Sequence, residues 1–255
     1  MEFKDHFSDH AVDYAEFRPE YPQALFEFLA RTVKDHDLAW DCATGSGQAA
    51  RGLVEYFDRV IATDMSAEQI RNAVPHARIS YHVAAAENSN IPSHTVDLIT
   101  VAQALHWLGF ESFFREVHRV LKPGGLIAVW CYGSMRVNPA VDPIVQHYYK
   151  NIVGSCWPPE RRYIDEKYQT VPFPLVELPT PEFIMKADWN LNNLIGYLRT
   201  WSATQRYQDK NGYNPLELIR GKLAETWYPA EKRLTVQWPV YMRLGTMTPL
   251  PGKTS

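Results

Sequence analysis

Leu38-Ala39-Trp40-Asp41-Cys42-Ala43-Thr44-Gly45-Ser46-Gly47-Gln48-Ala49-Ala50 is an apolar run that ends in an acid, crosses two glycines two apart and opens a helical run. Such a stretch reads as a buried strand handing the chain to a helix start. Gly45 permits backbone angles that a side chain disfavours, and Gly47 lets the main chain pass close to something bulky. The first N–H groups of the following helix have no partner within that helix, so they aim at whatever occupies the turn. A pyrophosphate suits those N–H groups. An ammonium group suits Asp41, at the strand end, where a pyrophosphate would be repelled.

Working outward, the chain alternates strand and helix. Ala49 to Tyr56 reads as a helix, and Arg59-Val60-Ile61-Ala62-Thr63-Asp64 as a short buried strand ending in a second acid. A carboxylate at the end of the second strand of a doubly wound sheet accepts ribose hydroxyls, or simply caps the next helix near Ser66. Ile79 to Ala84 and Val96 to Val101 are the third and fourth strands. The exit from the fourth, Ala102-Gln103-Ala104-Leu105-His106-Trp107, is rich in chemistry-bearing side chains. Phe110 to Leu121 carries Phe113, Phe114, Val117, Val120 and Leu121 on one helical face. Lys122-Pro123-Gly124-Gly125 stops that helix, and Leu126 to Trp130 is the fifth strand. Alternation of this kind implies a parallel sheet with helices on both faces and a ligand site beyond the strand C-termini. Asp41, Gly45, Asp64, Ala86, Gln103 and His106 all follow strand ends, so they converge there.

The flanks differ in texture. Residues 1–37 read as a helical cap interrupted at Arg18-Pro19-Glu20-Tyr21-Pro22; Tyr14, Arg18 and Tyr21 either cover a pocket or complete a packed cap. Residues 157–181 are proline-rich and read as an irregular, surface-wrapping segment. Glu182 to Asp188 reads as a strand, Leu191 to Ala203 and Leu216 to Trp227 as helices, and Leu234 to Leu244 as a strand whose Pro239 implies an edge or a bulge. Trp157, Trp189, Trp201, Trp227 and Trp238 either pack a core or wall a substrate site.

Composition is that of a globular protein, with 45% hydrophobic and 22% charged residues in 255. The net charge of −3 carries no nucleic-acid footprint. Three cysteines show no metal-type pairing, and the apolar setting of two of them implies buried thiols in a reducing compartment. No apolar run approaches the roughly 20 residues of a membrane span, and Met1-Glu2-Phe3-Lys4-Asp5 has no leader core. The expectation is a cytoplasmic protein that binds neither membrane nor nucleic acid.

Read as Gly45-x-Gly47-x-x-Ala50, the loop matches a relaxed dinucleotide fingerprint. Read as Asp41-x-Ala43-x-Gly45-x-Gly47, it resembles the loop of class I S-adenosylmethionine-dependent methyltransferases. Tyr14-x-x-x-Arg18-Pro19-x-Tyr21-Pro22, Thr63-Asp64-Met65-Ser66, Ala86-Glu87, His106-Trp107, Leu121 to Gly125, Leu198-Arg199-Thr200-Trp201-Ser202 and Trp238-Pro239-Val240 extend that resemblance over nearly the whole chain. They point to the branch of trans-aconitate methyltransferase-like enzymes acting on small molecules.

The resemblance implies an α/β, Rossmann-like, doubly wound seven-stranded sheet with the last strand antiparallel. It would form one methyltransferase domain: an N-terminal cap (1–37), a cofactor core (38–132), a helical and proline-rich substrate cover (133–235) and the last strand (236–245). It also implies roles. Ala43, Gly45 and Gly47 would hold the methionine end of S-adenosylmethionine, with Asp41 near its ammonium and Tyr14 and Arg18 over its carboxylate. Asp64 would take the ribose and Met65 the adenine face. Ala86 and Glu87 would border the adenine edge, while Ala102 and Gln103 would line the floor. Tyr21, His106, Trp107 and Trp201 would meet the methyl acceptor, a small molecule for which a carboxylate is a candidate. His106 would orient a carboxylate acceptor or act as base for a hydroxyl. Two departures stand out: Ala43 replaces a glycine, and Ala85 replaces an acid that many relatives aim at the adenine amino group. Two other readings stay open, a protein that binds the cofactor without turnover and a nicotinamide-dependent oxidoreductase.

Overall fold

The computed structural model describes residues 17–247. They form two compact units, one of residues 21–133, 162–183 and 240–247, the other of residues 17–20, 134–161 and 184–239.

The first unit carries the α/β core. In order it contains α1 (Gln23–Thr32), β1 (Leu38–Cys42), α2 (Gln48–Leu53), β2 (Arg59–Asp64), α3 (Ala67–Arg71), β3 (Ile79–Val83), β4 (Val96–Ala102), α4 (Phe110–Val120) and β5 (Leu121–Tyr132). After α5 (Asp142–His147) and α6 (Arg161–Asp165) come β6 (Val176–Leu178), β7 (Phe183–Trp189), α7 (Leu191–Arg199), α8 (Ser202–Asn211), α9 (Glu217–Trp227) and β8 (Leu234–Thr246). The sheet runs β3-β2-β1-β4-β5-β8-β6, with β7 paired to β8. Strands β1 to β5 pair in parallel, and β8 is antiparallel to β5 and β6. Strand order reverses between β1 and β4, the position at which such sheets open a crevice. The expected doubly wound architecture is present, with eight strands instead of seven. The additional pairing is β6, a three-residue strand between prolines that no periodicity announces.

Burial explains the central strands. Every residue of β1 is buried, and β4 is buried up to its last residue. On α4, Phe113, Phe114, Val117 and Val120 face the core while Glu111 and Arg115 face water. Each such side chain withdrawn from water contributes about 2–3 kcal/mol.

The Lys122-Pro123-Gly124-Gly125 stretch is the irregular first part of β5, where the register with β4 shifts, and the helix stops before it at Val120. Lys122 Nζ lies 2.7 Å from Asp97 and 2.8 Å from Asp37. Asp97, 3% exposed, also accepts the N–H of Leu38 at 2.9 Å. This cation therefore ties the entrances of β1, β4 and β5 together. Lys122→Met leaves a buried carboxylate without its cation and is expected to lower stability by roughly 2 kcal/mol in urea unfolding.

The proline-rich stretch runs largely along the surface, as expected, and is pinned to the core at a few side chains. Ile164, Tyr168 and Val171 are buried in the main hydrophobic cluster with Phe113, Phe114 and Val129. Arg243 on β8 holds the segment in place, donating to the carbonyls of Tyr168 (2.9 Å) and Val171 (2.7 Å) and pairing with Glu177. Residues 162–183 are thus part of the α/β unit.

In the second unit, the run read as one helix from Leu191 to Ala203 is two, α7 and α8. No glycine or proline breaks it. Thr200 Oγ donates to Tyr197 O and Thr204 Oγ to Leu198 O, so two hydroxyls satisfy carbonyls exposed by the break. Trp201 sits at the break with Tyr148, Tyr149, Trp157 and Tyr197 around it, ring centroids 5.6–6.0 Å away.

Candidate active site

The glycine loop is built by backbone conformation first. Ala43, Gly45 and Gly47 have φ of 53°, 57° and 86°, all left-handed. Gly47 caps α2 with a left-handed backbone that favours glycine, and a Cβ there would crowd the Tyr81 ring. Ala43 meets the same angular demand with a methyl group in place, at a cost of order 1 kcal/mol. Ala43→Gly is therefore expected to stabilise the protein by about 0.5 kcal/mol, since the relief of strain is partly offset by a more flexible unfolded chain. Chemical denaturation reads it; a loss of stability would show that the methyl packs favourably.

Two acids lock this loop. Asp41 is fully buried and accepts from Thr44 Oγ and from Ala50 N at 3.0 Å through one oxygen, and from Thr100 Oγ at 2.7 Å through the other. It therefore anchors the loop to the start of α2 and to β4. Asp64 accepts the N–H of Gly45 at 2.9 Å and that of Ser66 at 2.8 Å, tying the loop to the end of β2. Ser66 in turn caps α3.

Charge completes the picture. Burial first, then the negative charges of Asp41, Asp64 and Glu87, pushes the Cys42 thiol well above its usual value. Three carboxylates thus act together on the end of β1. Such a field repels a pyrophosphate and favours a ligand carrying positive charge.

The remaining positions fall around the same strand ends. Met65 follows Asp64 and is 46% exposed. Ala86 is buried and Glu87 exposed in the turn after β3, which Glu116 of α4 holds by accepting from the Ser89 N–H (2.8 Å) and hydroxyl (2.6 Å). Burial alone would raise the Glu116 pKa; its bonds with Arg119 and Ser89 outweigh this and bring it down to about 2. The sequence reading missed Glu116; an acid on the apolar side of α4 was its only signal. Ala102 ends β4. Gln103, with φ of 56°, donates its N–H to Trp130 O and accepts the Tyr132 N–H at its side-chain oxygen, both at 2.8 Å. Tyr21 meets the Trp130 ring edge-on at 5.4 Å. His106 is 5% exposed, 4.6 Å from the Trp107 ring, with Nδ1 2.8 Å from the Tyr168 hydroxyl.

Arg18 and Trp201 lie in the second unit, where the Arg18 guanidinium stacks 5.1 Å from the Tyr197 ring and Trp201 is 7% exposed. Tyr14 is outside the described residues.

Comparison with known proteins places the chain in a family. Residues 40–129 match the family described as "Methyltransferase domain". A protein of Dictyostelium discoideum named as a methyltransferase is 35% identical over 250 residues, covering 95% of each chain. The chain belongs to the S-adenosylmethionine-dependent methyltransferases. A solved structure from Anaeromyxobacter dehalogenans, described as a type II methyltransferase, is 40% identical and superposes with a TM-score of 0.86 over 92% of this chain and 100% of that one. A Saccharomyces cerevisiae protein named as an S-adenosylmethionine-dependent methyltransferase is 29% identical over 131 residues, 48% of this chain and 45% of that one. The cofactor of this methyltransferase is S-adenosylmethionine, whose positive charge suits the three carboxylates, and the oxidoreductase and non-catalytic readings fall away. Among the described residues, no helix is long and apolar enough to cross a membrane.

Proposed function

We propose that this methyltransferase transfers a methyl group to a small anionic acceptor, a carboxylate, oriented by His106. When bound, the cofactor supplies a sulfonium methyl that passes to an acceptor oxygen while the C–S electron pair stays on sulfur, so a carboxylate leaves as its methyl ester and no proton is released. What the chain must do is hold the two partners in line and keep water out, and alignment alone can supply on the order of 7–11 kcal/mol. In this reading the Ala43–Gly47 loop holds the methionine end, Asp64 the ribose, and Met65, Ala86 and Glu87 the adenine. Ala102 and Gln103 form the floor. Tyr21, His106 and Trp107 face the acceptor.

The observation that carries the acceptor assignment is the pairing of His106 with a phenol. A carboxylate at Nδ1 strengthens an imidazole as a base, as in hydrolase triads; a hydroxyl holds the ring without doing so. An acceptor that is already an anion needs no base. The test has two stages. Calorimetric titration with S-adenosylhomocysteine, with NADH in parallel, is expected to show micromolar binding of the first alone. A panel of small carboxylates, phenols and amines is then followed by formation of S-adenosylhomocysteine. Turnover confined to phenols or amines would overturn the carboxylate assignment.

A further inference from the structure

We infer that Tyr81 is a positioning residue for the cofactor: its phenol braces Gly47 from the sheet side and holds the glycine loop in the shape that receives the methionine end. This rests on the assignment of that loop to the cofactor proposed above, and it adds a residue of β3, two strands away from the strand that carries the loop.

Sheet register sets the brace. Asp41 pairs with Ala62 and Ala62 with Tyr81, so the three stand in one row across β1, β2 and β3. Paired residues of neighbouring parallel strands point to the same face. Asp41 accepts the N–H of Ala50 from α2, so that face is the one α2 covers. Ala62 offers only a buried methyl, which leaves the Tyr81 ring room to lie across β2 toward the start of α2. Its end arrives at Gly47. The atoms nearest to where a Cβ would stand there are the Tyr81 hydroxyl, then its Cε1 and Cζ at 2.9 and 3.0 Å. Burial raises the pKa of this phenol, with Arg51 of α2 opposing and the charge of Asp41 adding to the rise, so the group is a neutral hydroxyl at neutral pH.

The rest of the loop is pinned by side-chain hydrogen bonds. Asp41 fixes Thr44 and Ala50, and Asp64 fixes Gly45. Gly47 is bonded through its main chain alone, to Thr44 O and to the Arg51 N–H, both at 3.0 Å. A glycine resists a change of backbone angle less than any other residue, so the φ of 86° at Gly47 gains from a wall outside the loop. The phenol is that wall. Its hydroxyl is buried and, among the described residues, has no hydrogen-bond partner. A phenylalanine would bury the same ring without stripping water from a hydroxyl that bonds to nothing. What the oxygen adds is length, and that length ends against Gly47.

The experiment is a double-mutant cycle on the full chain: Tyr81→Phe, Gly47→Ala and the two together. Calorimetric titration with S-adenosylhomocysteine reads affinity, and urea unfolding reads stability. Tyr81→Phe is expected to bind about threefold more weakly, as the fraction of chains with a competent loop falls to about one third. Its stability is expected to hold or rise, because no hydrogen bond is lost. A ring that only packs would do the reverse, lowering stability and leaving affinity unchanged. Gly47→Ala is expected to bind about 30-fold more weakly, since the methyl strains the left-handed angle and meets the phenol. In the double variant that methyl takes part of the space the oxygen left, so the combined loss is expected to stay near 30-fold, where independent sites would multiply to about 90-fold. A combined loss equal to the product would overturn the brace and make the hydroxyl a direct partner of the cofactor. Wild-type affinity in Tyr81→Phe would overturn it too, and that result needs no Gly47 variant to fold. The loop assignment fails separately: Gly47→Ala binding as tightly as the wild type would remove the loop from the cofactor site, and the role of Tyr81 with it.

Discussion

Replacing Asp64 with alanine is expected to weaken S-adenosylhomocysteine binding about 100-fold, roughly 2.8 kcal/mol. Two losses combine. The Gly45 and Ser66 N–H groups lose the carboxylate that accepts from both, so the loop is no longer tied to β2. On the proposed assignment of Asp64 to the ribose, its hydroxyls lose a charged acceptor, and hydrogen bonds to charged groups contribute roughly 1.5–3 kcal/mol each. Asp64→Asn separates the two effects. It keeps one acceptor oxygen for the loop while removing the charge, so an intermediate loss of about tenfold is expected. Calorimetry at constant salt measures all three proteins. If alanine and asparagine lower affinity equally, the carboxylate acts through its charge alone and loop anchoring is unimportant. If neither lowers it, Asp64 does not serve the cofactor.

The same residues show what could be read from the chain in advance. Strand ends were legible because runs such as Val60-Ile61-Ala62 and Val96 to Val101 are short and rich in β-branched residues, as buried strands are, and the polar residues that follow them mark where the sheet stops. Ligand chemistry at the loop followed from the same local pattern. Contacts over long sequence distances did not. The Tyr168–His106 pair spans 62 residues and the Arg243–Tyr168 bond 75, and no periodicity encodes either. Proline content predicted both the irregular backbone and the surface path at 157–181; what it did not announce is that Ile164, Tyr168 and Val171 turn inward and anchor the segment in the core. The break at Thr200 escaped as well. Hydroxyl groups end that helix by bonding to its own carbonyls, a signal weaker than glycine or proline.

Asp41→Asn is expected to make the ligand-free protein more stable at neutral pH by about 3 kcal/mol, and to leave it nearly unchanged at pH 4. Burial raises the Asp41 pKa to about 6 from an ordinary 3.8, against the opposing bonds from Thr44, Thr100 and Ala50, with the charge of Asp64 adding to the rise. Between those values the folded state binds more protons than the unfolded one, so stability falls as pH rises through the window. Below it, both states are protonated and no cost remains. Above pH 6 the cost is complete: about two pH units at 1.36 kcal/mol each, or roughly 3 kcal/mol. Asparagine keeps the packing. Its carbonyl oxygen accepts from Thr44 and Ala50, and its amide donates to the Thr100 hydroxyl, which turns to accept. Urea unfolding of both proteins from pH 4 to pH 7 measures the difference; parallel curves would show that Asp41 does not titrate in this range. The natural chain therefore keeps a buried charge that lowers its own stability. On the proposed assignment of Asp41 to the methionine end of the cofactor, a positively charged ligand gives that charge its use, because the ionised form attracts it more strongly. Asp41→Asn is accordingly expected to bind S-adenosylmethionine about tenfold more weakly at pH 7, a loss that shrinks as falling pH protonates Asp41 in the wild type.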